Sequence, residues 1–160
     1  MPKLSIVIPV YNEKNTIKEI LKRVESVKLD DIEKEVILID DFSTDGTREI
    51  LNSLGPGHKV FFQSKNMGKG MAVKTGFDNV TGDMILIQDA DLEYSPDDYP
   101  KLIRPITEGR ADVVFGSRFL KGADSKITYR HGYLFSRFLN WFSNVLTGLG
   151  LNDTYTCYKV

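Results

Sequence analysis

Short apolar runs alternate with helix-forming segments as far as residue 118, and this alternation constrains the fold more than any other feature. The segments between the runs repeat apolar residues at intervals of three and four, as in residues 17–27. Apolar runs of this length are typical of strands buried on both faces of a sheet. They lie at residues 4–9, 35–39, 59–62, 84–87 and 111–115. The order predicts an α/β fold whose mainly parallel sheet is flanked by helices on both faces.

Two predicted helices have candidate caps. Asn12 or Asn15 is expected to cap the helix after the first strand. Ser95, followed by Pro96 and two acids, predicts a further helix start, because Ser caps well and acids favour the positive end of the helix dipole.

The pattern changes after residue 120. Residues 121–130 are polar and predict a mobile loop, and residues 131–146 predict one amphipathic helix with a wide aromatic face and a narrow polar strip. Such a face is either core or a surface for a membrane interface or partner groove, and the pattern leaves these alternatives open. Residues 156–160 form a strand-like run with no closing turn, so we expect the chain to be cut short there.

Composition excludes several classes of function. The 160 residues predict a single domain over 1–160, and a formal net charge of −1 argues against a nucleic-acid partner. The one cysteine allows neither an internal disulfide nor a cysteine-based metal cluster, and it fits a reducing compartment. We expect no secretory signal and no membrane span, because no apolar stretch approaches about 18 residues.

Asp89 and Asp91 follow the apolar run 84–87, where a buried strand would end. Carboxylates that converge at a strand end repel each other and commonly hold a cation, and hard oxygen ligands suit Mg²⁺ or Mn²⁺. Taken alone, however, Asp-x-Asp is also an ordinary acidic turn.

Polar residues follow three further strand ends, at 9–13, 40–41 and 116–118. In a parallel sheet all of them would lie at one edge, where ligands bind in open α/β folds. There, Tyr11 could face a base and Arg118 a phosphate. Each residue also has a structural alternative, such as a cap, a turn or a surface ion pair. No P-loop is present, and the dinucleotide fingerprint at residues 68–73 is incomplete.

Five motifs together carry a family resemblance. They lie at residues 9–13, 40–47, 66–72, 89–93 and 116–118. The sequence resembles the family 2 inverting glycosyltransferases of GT-A fold, and among them the dolichol- and polyprenyl-phosphate hexose synthases. The resemblance covers nearly the whole chain.

The resemblance implies a site for a nucleotide-diphosphate sugar and a divalent ion, Mg²⁺ or Mn²⁺. The implied nucleotide-sugar-binding residues are Pro9, Tyr11, Asn12, Glu13, Ile39, Asp41, Lys69, Gly70, Asp89 and Ala90. The implied metal ligands are Asp89, Asp91 and Glu93. The implied catalytic residues are Asp91, Arg118, Arg130 and Asp153, the two arginines holding the phosphates of donor and acceptor.

The implied reaction moves a hexose from a GDP- or UDP-sugar to a polyprenyl phosphate, dolichyl or undecaprenyl, with inversion. The implied location is cytoplasmic and peripheral at a membrane surface, with contact through residues 131–147. Two alternatives stay open: a saccharide hydroxyl acceptor with Asp153 as base, and a nucleotide-sugar binding module without turnover. A turn is an equally good reading of Asp153.

Overall fold

A computed structural model describes residues 1–117, 130–154 and 156–160, without the side chains of residues 130–135. In this part of the chain four strands form a parallel sheet in the order β3-β2-β1-β4. The strands are β1 (Lys3–Val10), β2 (Glu33–Asp40), β3 (His58–Phe62) and β4 (Met84–Ile87). The helices are α1 (Ile17–Ser26), α2 (Thr47–Asn52), α3 (Lys69–Phe77), α4 (Tyr99–Thr107) and α5 (Arg130–Thr147), with a 3₁₀ turn at Pro96–Asp98 before α4.

Apolar side chains on both faces of the sheet are covered by helices, as the sequence predicted. Ile6 and Leu38 belong to the larger core, which includes α1, α2 and α4. Val7 and Ile37 belong to a second cluster with Ala72 of α3. Successive strand residues point to opposite faces, so an uninterrupted apolar strand requires cover on each side.

Helix α3 lies very close to the sheet because of Gly76. A Cβ atom at this position would overlap Val7 and come within 2.9 Å of Ile39 Cδ1. The close packing places the beginning of α3, at Lys69, over the carboxyl ends of the strands.

The prediction of a strand at residues 111–115 is wrong. Phe115 makes only an isolated antiparallel bridge with Lys159, and Val114 exchanges two backbone hydrogen bonds with Val160. Lys159 also accepts a backbone hydrogen bond from Ile87 of β4 (3.1 Å). The strand-like run at residues 156–160 thus extends the pairing beyond β4.

The prediction that Asn12 or Asn15 caps α1 is also wrong. Thr16 stands at the cap position and makes no side-chain cap hydrogen bond, while Asn12 adopts a positive φ of 56° and bonds to another loop. The Ser95 cap is confirmed, since its Oγ accepts from Asp97 N. Among the described helices, none has the length and hydropathy that a membrane crossing requires.

Candidate functional site

A cleft of about 370 Å³ opens where β1, β2 and β4 end. Its lining brings together residues from four separate stretches of sequence, as expected for the carboxyl edge of a parallel sheet. The lining residues are Pro9, Val10, Tyr11, Glu13, Asp41, Asn66, Gly68, Lys69, Ala72, Asp89, Ala90 and Asp91. All twelve lie within the ranges of four of the five sequence motifs, and eight belong to the sequence-predicted site: Pro9, Tyr11, Glu13, Asp41, Lys69, Asp89, Ala90 and Asp91.

The loops that follow β1 and β2 are tied to each other. Asn12 N donates to Ser43 Oγ (2.9 Å), and Thr44 N donates to Asn12 Oδ1 (2.8 Å). Glu13 N donates to Thr47 Oγ1 (2.9 Å). The Asn12 side chain therefore supports the loops, whereas Tyr11, next to it, lines the cleft with 48% of its surface exposed.

Asp40 is a structural neighbour of the cleft. Its side chain is fully buried, accepts from Ser43 N and pairs with Arg48 Nε (3.1 Å). The Arg48 guanidinium also lies over the rings of Phe42 and Phe62. This brace fixes the end of β2 and so positions the next residue, Asp41.

Asp41 holds the loop that leads into α3. Its buried carboxylate accepts from the backbone N–H of Met67 (2.8 Å) at Oδ1 and of Gly68 (2.7 Å) at Oδ2. A carboxylate has about four lone-pair positions, so Asp41 keeps acceptor capacity toward the cleft. Gly68 adopts a φ of +85°, which favours glycine at this turn.

Asp89 is paired with a lysine across the cleft. The distance from Lys69 Nζ to Asp89 Oδ1 is 2.5 Å, and the same ammonium lies 3.8 Å from Cys157 Sγ. Partial burial by itself would lower the pKa of Lys69, but the hydrogen bond and charge of Asp89 raise it above its ordinary value. Burial, together with Asp89, raises the pKa of the Cys157 thiol.

Gln88 is a positioning residue that sequence reasoning missed. Its fully buried side chain accepts from Tyr99 Oη (2.7 Å) and Tyr158 Oη (2.9 Å), and donates to the carbonyl of Asp89 (2.8 Å). Burial raises the pKa of both tyrosines, so both hydroxyls stay protonated donors at neutral pH. A polar residue directly after a buried apolar strand was the available signal.

The three predicted metal ligands are not gathered into one group. Within the described ranges, no set of three Asp, Glu, His or Cys side chains is arranged to hold a metal ion. Asp89 and Asp91 line the cleft, while Glu93 is exposed outside it and donates its backbone N–H to Asp91 Oδ1 (3.0 Å). The protein therefore offers two carboxylates, and further oxygen ligands would come from a bound phosphate or water.

The charge of the cleft is compatible with a cation that is held by two carboxylates and a bound phosphate or water. Its described lining carries the carboxylates of Glu13, Asp41, Asp89 and Asp91 against the single ammonium of Lys69. An anionic diphosphate would be repelled by this excess unless a cation entered with it. The residues present thus fit a hard divalent ion such as Mg²⁺ or Mn²⁺.

Several predicted residues lie away from the cleft or outside the description. The side chain of Ile39 is 0% exposed and packs in the core under α3, and Gly70 is exposed in the first turn of α3 outside the lining. Arg118 lies outside the described residues. Arg130 begins α5, but its side chain is outside the description. The roles of all four stay predictions.

Asp153 is buried, with 2% of its surface exposed, and is not in the described lining of the cleft. Two amides of α5 hold its neighbours. Asn140 donates to Asn152 O (2.9 Å) and accepts from Thr154 N (2.8 Å). One turn later, Asn144 donates to Leu151 O and accepts from Leu151 N, both at 2.8 Å.

Asn140 and Asn144 of the polar strip therefore face protein, and the aromatic face of α5 is exposed. Trp141 has 61% of its surface exposed. The other large apolar residues exposed on this face are Phe138, Phe142, Val145 and Leu146. The sequence left open whether this face is buried in the core or exposed. For these five side chains, burial in the core of the described chain is the wrong alternative.

Known proteins similar to this chain include sugar transferases that are named after a polyprenyl phosphate. Dolichol-phosphate mannosyltransferase of Pyrococcus furiosus is 37% identical over 122 residues, which cover 75% of this chain and 34% of that protein. Undecaprenyl-phosphate 4-deoxy-4-formamido-L-arabinose transferase of Edwardsiella ictaluri is 35% identical over 160 residues, 96% of this chain and 47% of that protein. The chain thus spans between a third and a half of these relatives.

Solved structures of glycosyltransferases share the fold. A mannosyltransferase from Pyrobaculum calidifontis, in complex with GDP-Man and Mn²⁺, matches with a TM-score of 0.50 and 28% identity over 61% of this chain and 30% of its own. Glucosyl-3-phosphoglycerate synthase of Mycobacterium tuberculosis matches with a TM-score of 0.72 and 20% identity over 99% of this chain and 56% of its own. The second likeness shows the GT-A fold alone.

The sequence profile described as "Glycosyl transferase family 2" matches residues 5–157, nearly the whole chain. With its parallel sheet, its cleft at the strand ends and its relatives among polyprenyl-phosphate sugar transferases, this chain belongs to glycosyltransferase family 2.

Proposed function

We propose that the chain is the catalytic domain of an inverting glycosyltransferase that moves a hexose from a GDP- or UDP-sugar to a polyprenyl phosphate. One observation carries the proposal: an exposed aromatic ring, a buried carboxylate and an acidic pair with a lysine share one cleft. These residues are Tyr11, Asp41, Asp89, Asp91 and Lys69. The names of the relatives agree with this reaction class.

In this proposal the nucleoside lies at the Tyr11 end of the cleft. Tyr11 stacks on the base, and Asp41 accepts from a base N–H or a sugar hydroxyl with the lone pairs that the loop leaves available. Pro9 and Glu13, each two residues from Tyr11 in sequence, also line the cleft. The sugar and the diphosphate then extend toward Asp89 and Ala90.

The other end of the cleft would bind the metal ion and the phosphates of donor and acceptor. Asp91 and Asp89 would hold Mg²⁺ or Mn²⁺, which when bound supplies positive charge to the leaving diphosphate. We assign Arg118 and Arg130 to the phosphates of donor and acceptor, as the family resemblance implies. An oxygen of the acceptor phosphate forms the new bond to the anomeric carbon from the opposite side, while the bond from that carbon to the diphosphate breaks. The anionic nucleophile needs no strong base.

The exposed face of α5 supports a lipid acceptor. A patch of Trp, Phe, Val and Leu side chains is costly in water and favourable at a membrane interface. Residues 130–147 contain two arginines and no acidic residue, which suits an anionic lipid surface. We therefore assign residues 131–147 to peripheral contact with the membrane.

A saccharide hydroxyl acceptor is the second candidate. A hydroxyl would need a base, and Asp153 was the residue available for that role. Its burial and its place outside the described lining favour the lipid phosphate instead.

Transfer tests the proposal directly. The chain is incubated with radiolabelled GDP- or UDP-hexose, Mn²⁺ and short-chain polyprenyl phosphate, and labelled lipid is separated by chromatography. Labelled glycolipid is expected with one donor. Label on a saccharide acceptor would favour the second candidate, and tight donor binding without any transfer would favour a binding module.

Vesicle flotation tests the membrane contact. Phe138→Ser together with Trp141→Ser is expected to lower binding to anionic vesicles by about tenfold, because two aromatic side chains leave the interface. Phe77→Ser is the matched control, since Phe77 is an exposed aromatic residue on α3. Equal binding by all three proteins would contradict this assignment.

A further inference from the structure

Lys69 connects the two ends of the cleft. Its ammonium is 2.5 Å from Asp89 Oδ1, in the acidic pair assigned to the divalent ion. Its backbone follows directly on Met67 and Gly68, whose N–H groups are held by Asp41 at the nucleoside end. A single short loop thus contacts both a residue proposed to bind the base and a residue proposed to bind the metal.

The present position of Lys69 conflicts with a cation on Asp89. An ammonium in contact with that carboxylate occupies one of its oxygens and repels a divalent ion that approaches it. The pair can separate easily, because 52% of the Lys69 side chain is exposed and its four-carbon stem is flexible.

An incoming donor would give the ammonium a second partner. A diphosphate next to Asp89 and Asp91 would lie within the cleft that Lys69 also lines. A phosphate oxygen and a carboxylate oxygen both accept strong charge-assisted hydrogen bonds from lysine. Exchange of one for the other would keep the ammonium paired and release Asp89 for the ion.

We propose that Lys69 is an exchange residue: it neutralises Asp89 in the empty cleft and transfers to the diphosphate when metal and nucleotide bind together. The inference rests on the proposed function and deepens it. Its consequence is positive cooperativity, in which nucleotide strengthens metal binding and metal strengthens nucleotide binding by the same factor.

The test measures both ligands separately. Mn²⁺ binding is followed by electron paramagnetic resonance with and without GDP or UDP, and nucleotide binding by calorimetry at saturating Mn²⁺. Lys69→Gln is expected to bind Mn²⁺ alone about tenfold more tightly and nucleotide about tenfold more weakly, so that the cooperativity falls. Lys69→Met serves as a second neutral variant should the first fold poorly.

Two controls separate exchange from a change in net charge. Lys74→Gln removes the same charge from the same helix, but Lys74 pairs with Asp78 outside the cleft, so both affinities should stay unchanged. Lys69→Arg keeps the charge and should keep most of the cooperativity.

Opposite changes in the two affinities support the inference. Unchanged or weaker Mn²⁺ binding in both neutral variants would overturn it, because the Lys69 ammonium would then not compete with the ion for Asp89. A wild-type chain that binds neither nucleotide with Mn²⁺ would instead defeat the proposed function, and the arm with Mn²⁺ alone would still decide the competition at Asp89.

Discussion

The cleft and the α5 region both use side chains to hold a loop, but those side chains come from different scaffolds. In the cleft, a carboxylate directly after a buried strand holds a loop: Asp41 accepts from two N–H groups of the loop before α3. In the α5 region, side chains hold a backbone: Asn140 and Asn144 bond the peptide groups of residues 151–154. Backbone positions in the cleft follow from the sheet, whereas those around Asp153 depend on two amides.

The two regions also differ in which of their side chains are exposed. The strands under the cleft bury their apolar side chains on both faces, while α5 turns Asn140 and Asn144 toward residues 151–154 and leaves Trp141 and its neighbours exposed. The two asparagines account for this orientation, because each satisfies both a donor and an acceptor of the loop and loses those bonds if the helix rotates. The first region is thus organised by hydrophobic burial, and the second by hydrogen bonds.

The largest effect is expected at Asp91. Asp91→Ala should weaken Mn²⁺-dependent nucleotide binding by about a thousandfold, about 4 kcal/mol, because one of the two carboxylates available to the ion is removed. The fold should persist, since Asp91 is exposed. Calorimetry with GDP and UDP in Mn²⁺ measures the loss. Asp78 is an exposed acid directly after α3 and outside the cleft, so Asp78→Ala should bind as the wild type does. Wild-type binding by Asp91→Ala would contradict the metal assignment.

The cleft was largely predictable because parallel strands bring their carboxyl ends to one edge. Asp41, Asp89 and Asp91 each follow an apolar run, so the sequence alone indicated that they lie close together. The run at residues 111–115 misled the same reasoning. It bonds to the end of the chain through only a few peptide groups, and an apolar run does not reveal how many partners it has.

Two other features could not be predicted for a different reason. The Lys69–Asp89 pair joins residues far apart in sequence, and neither residue type indicates a particular partner. The periodicity of α5 identifies an apolar face but not its direction, because an amphipathic helix has the same pattern on a core as on a membrane. Asn140 and Asn144, spaced by one turn, carried that information only once their loop partners were known.

Asn140→Leu sharpens the contrast from the α5 side. The change leaves the carbonyl of Asn152 and the N–H of Thr154 without their partner, which should cost about 3 kcal/mol of unfolding free energy. Hydrogen exchange should accelerate most at Thr154, whose N–H loses its acceptor. Ser143→Ala is the matched control on the same helix. A stable Asn140→Leu variant with slow exchange in this loop would show that other contacts hold it.

Glu35, at the end of the sheet opposite the cleft, tests whether side-chain hydrogen bonds also contribute to the stability of the sheet. Its carboxylate accepts from Ser5 Oγ, Lys59 Nζ (2.9 Å) and Thr81 N (2.6 Å). Burial alone would raise the pKa of Glu35, but these hydrogen bonds hold it well below its ordinary 4.5. A lowered pKa means that the stabilisation is complete above about pH 4.5 and is lost as the pH falls below it.

Glu35→Gln should therefore cost about 2 kcal/mol at pH 7 and less as the pH falls, so that the two unfolding curves converge in acid. Thermal unfolding between pH 3 and pH 7 measures this. Parallel curves with a constant offset would contradict the assigned pKa direction. Glu33→Gln, an exposed neighbour in β2, should leave the pH profile unchanged.

The smallest effect is expected at Trp141. Removal of a large buried aromatic residue costs about 3 to 5 kcal/mol, as expected for Tyr99→Ala, whose side chain is fully buried. Trp141→Ser should change the free energy of unfolding in solution by less than about 0.5 kcal/mol, because most of this side chain already faces water. Denaturant unfolding without lipid measures both. A loss above about 2 kcal/mol at Trp141 would mean that the aromatic face packs against protein, and the contrast between the two regions would fail.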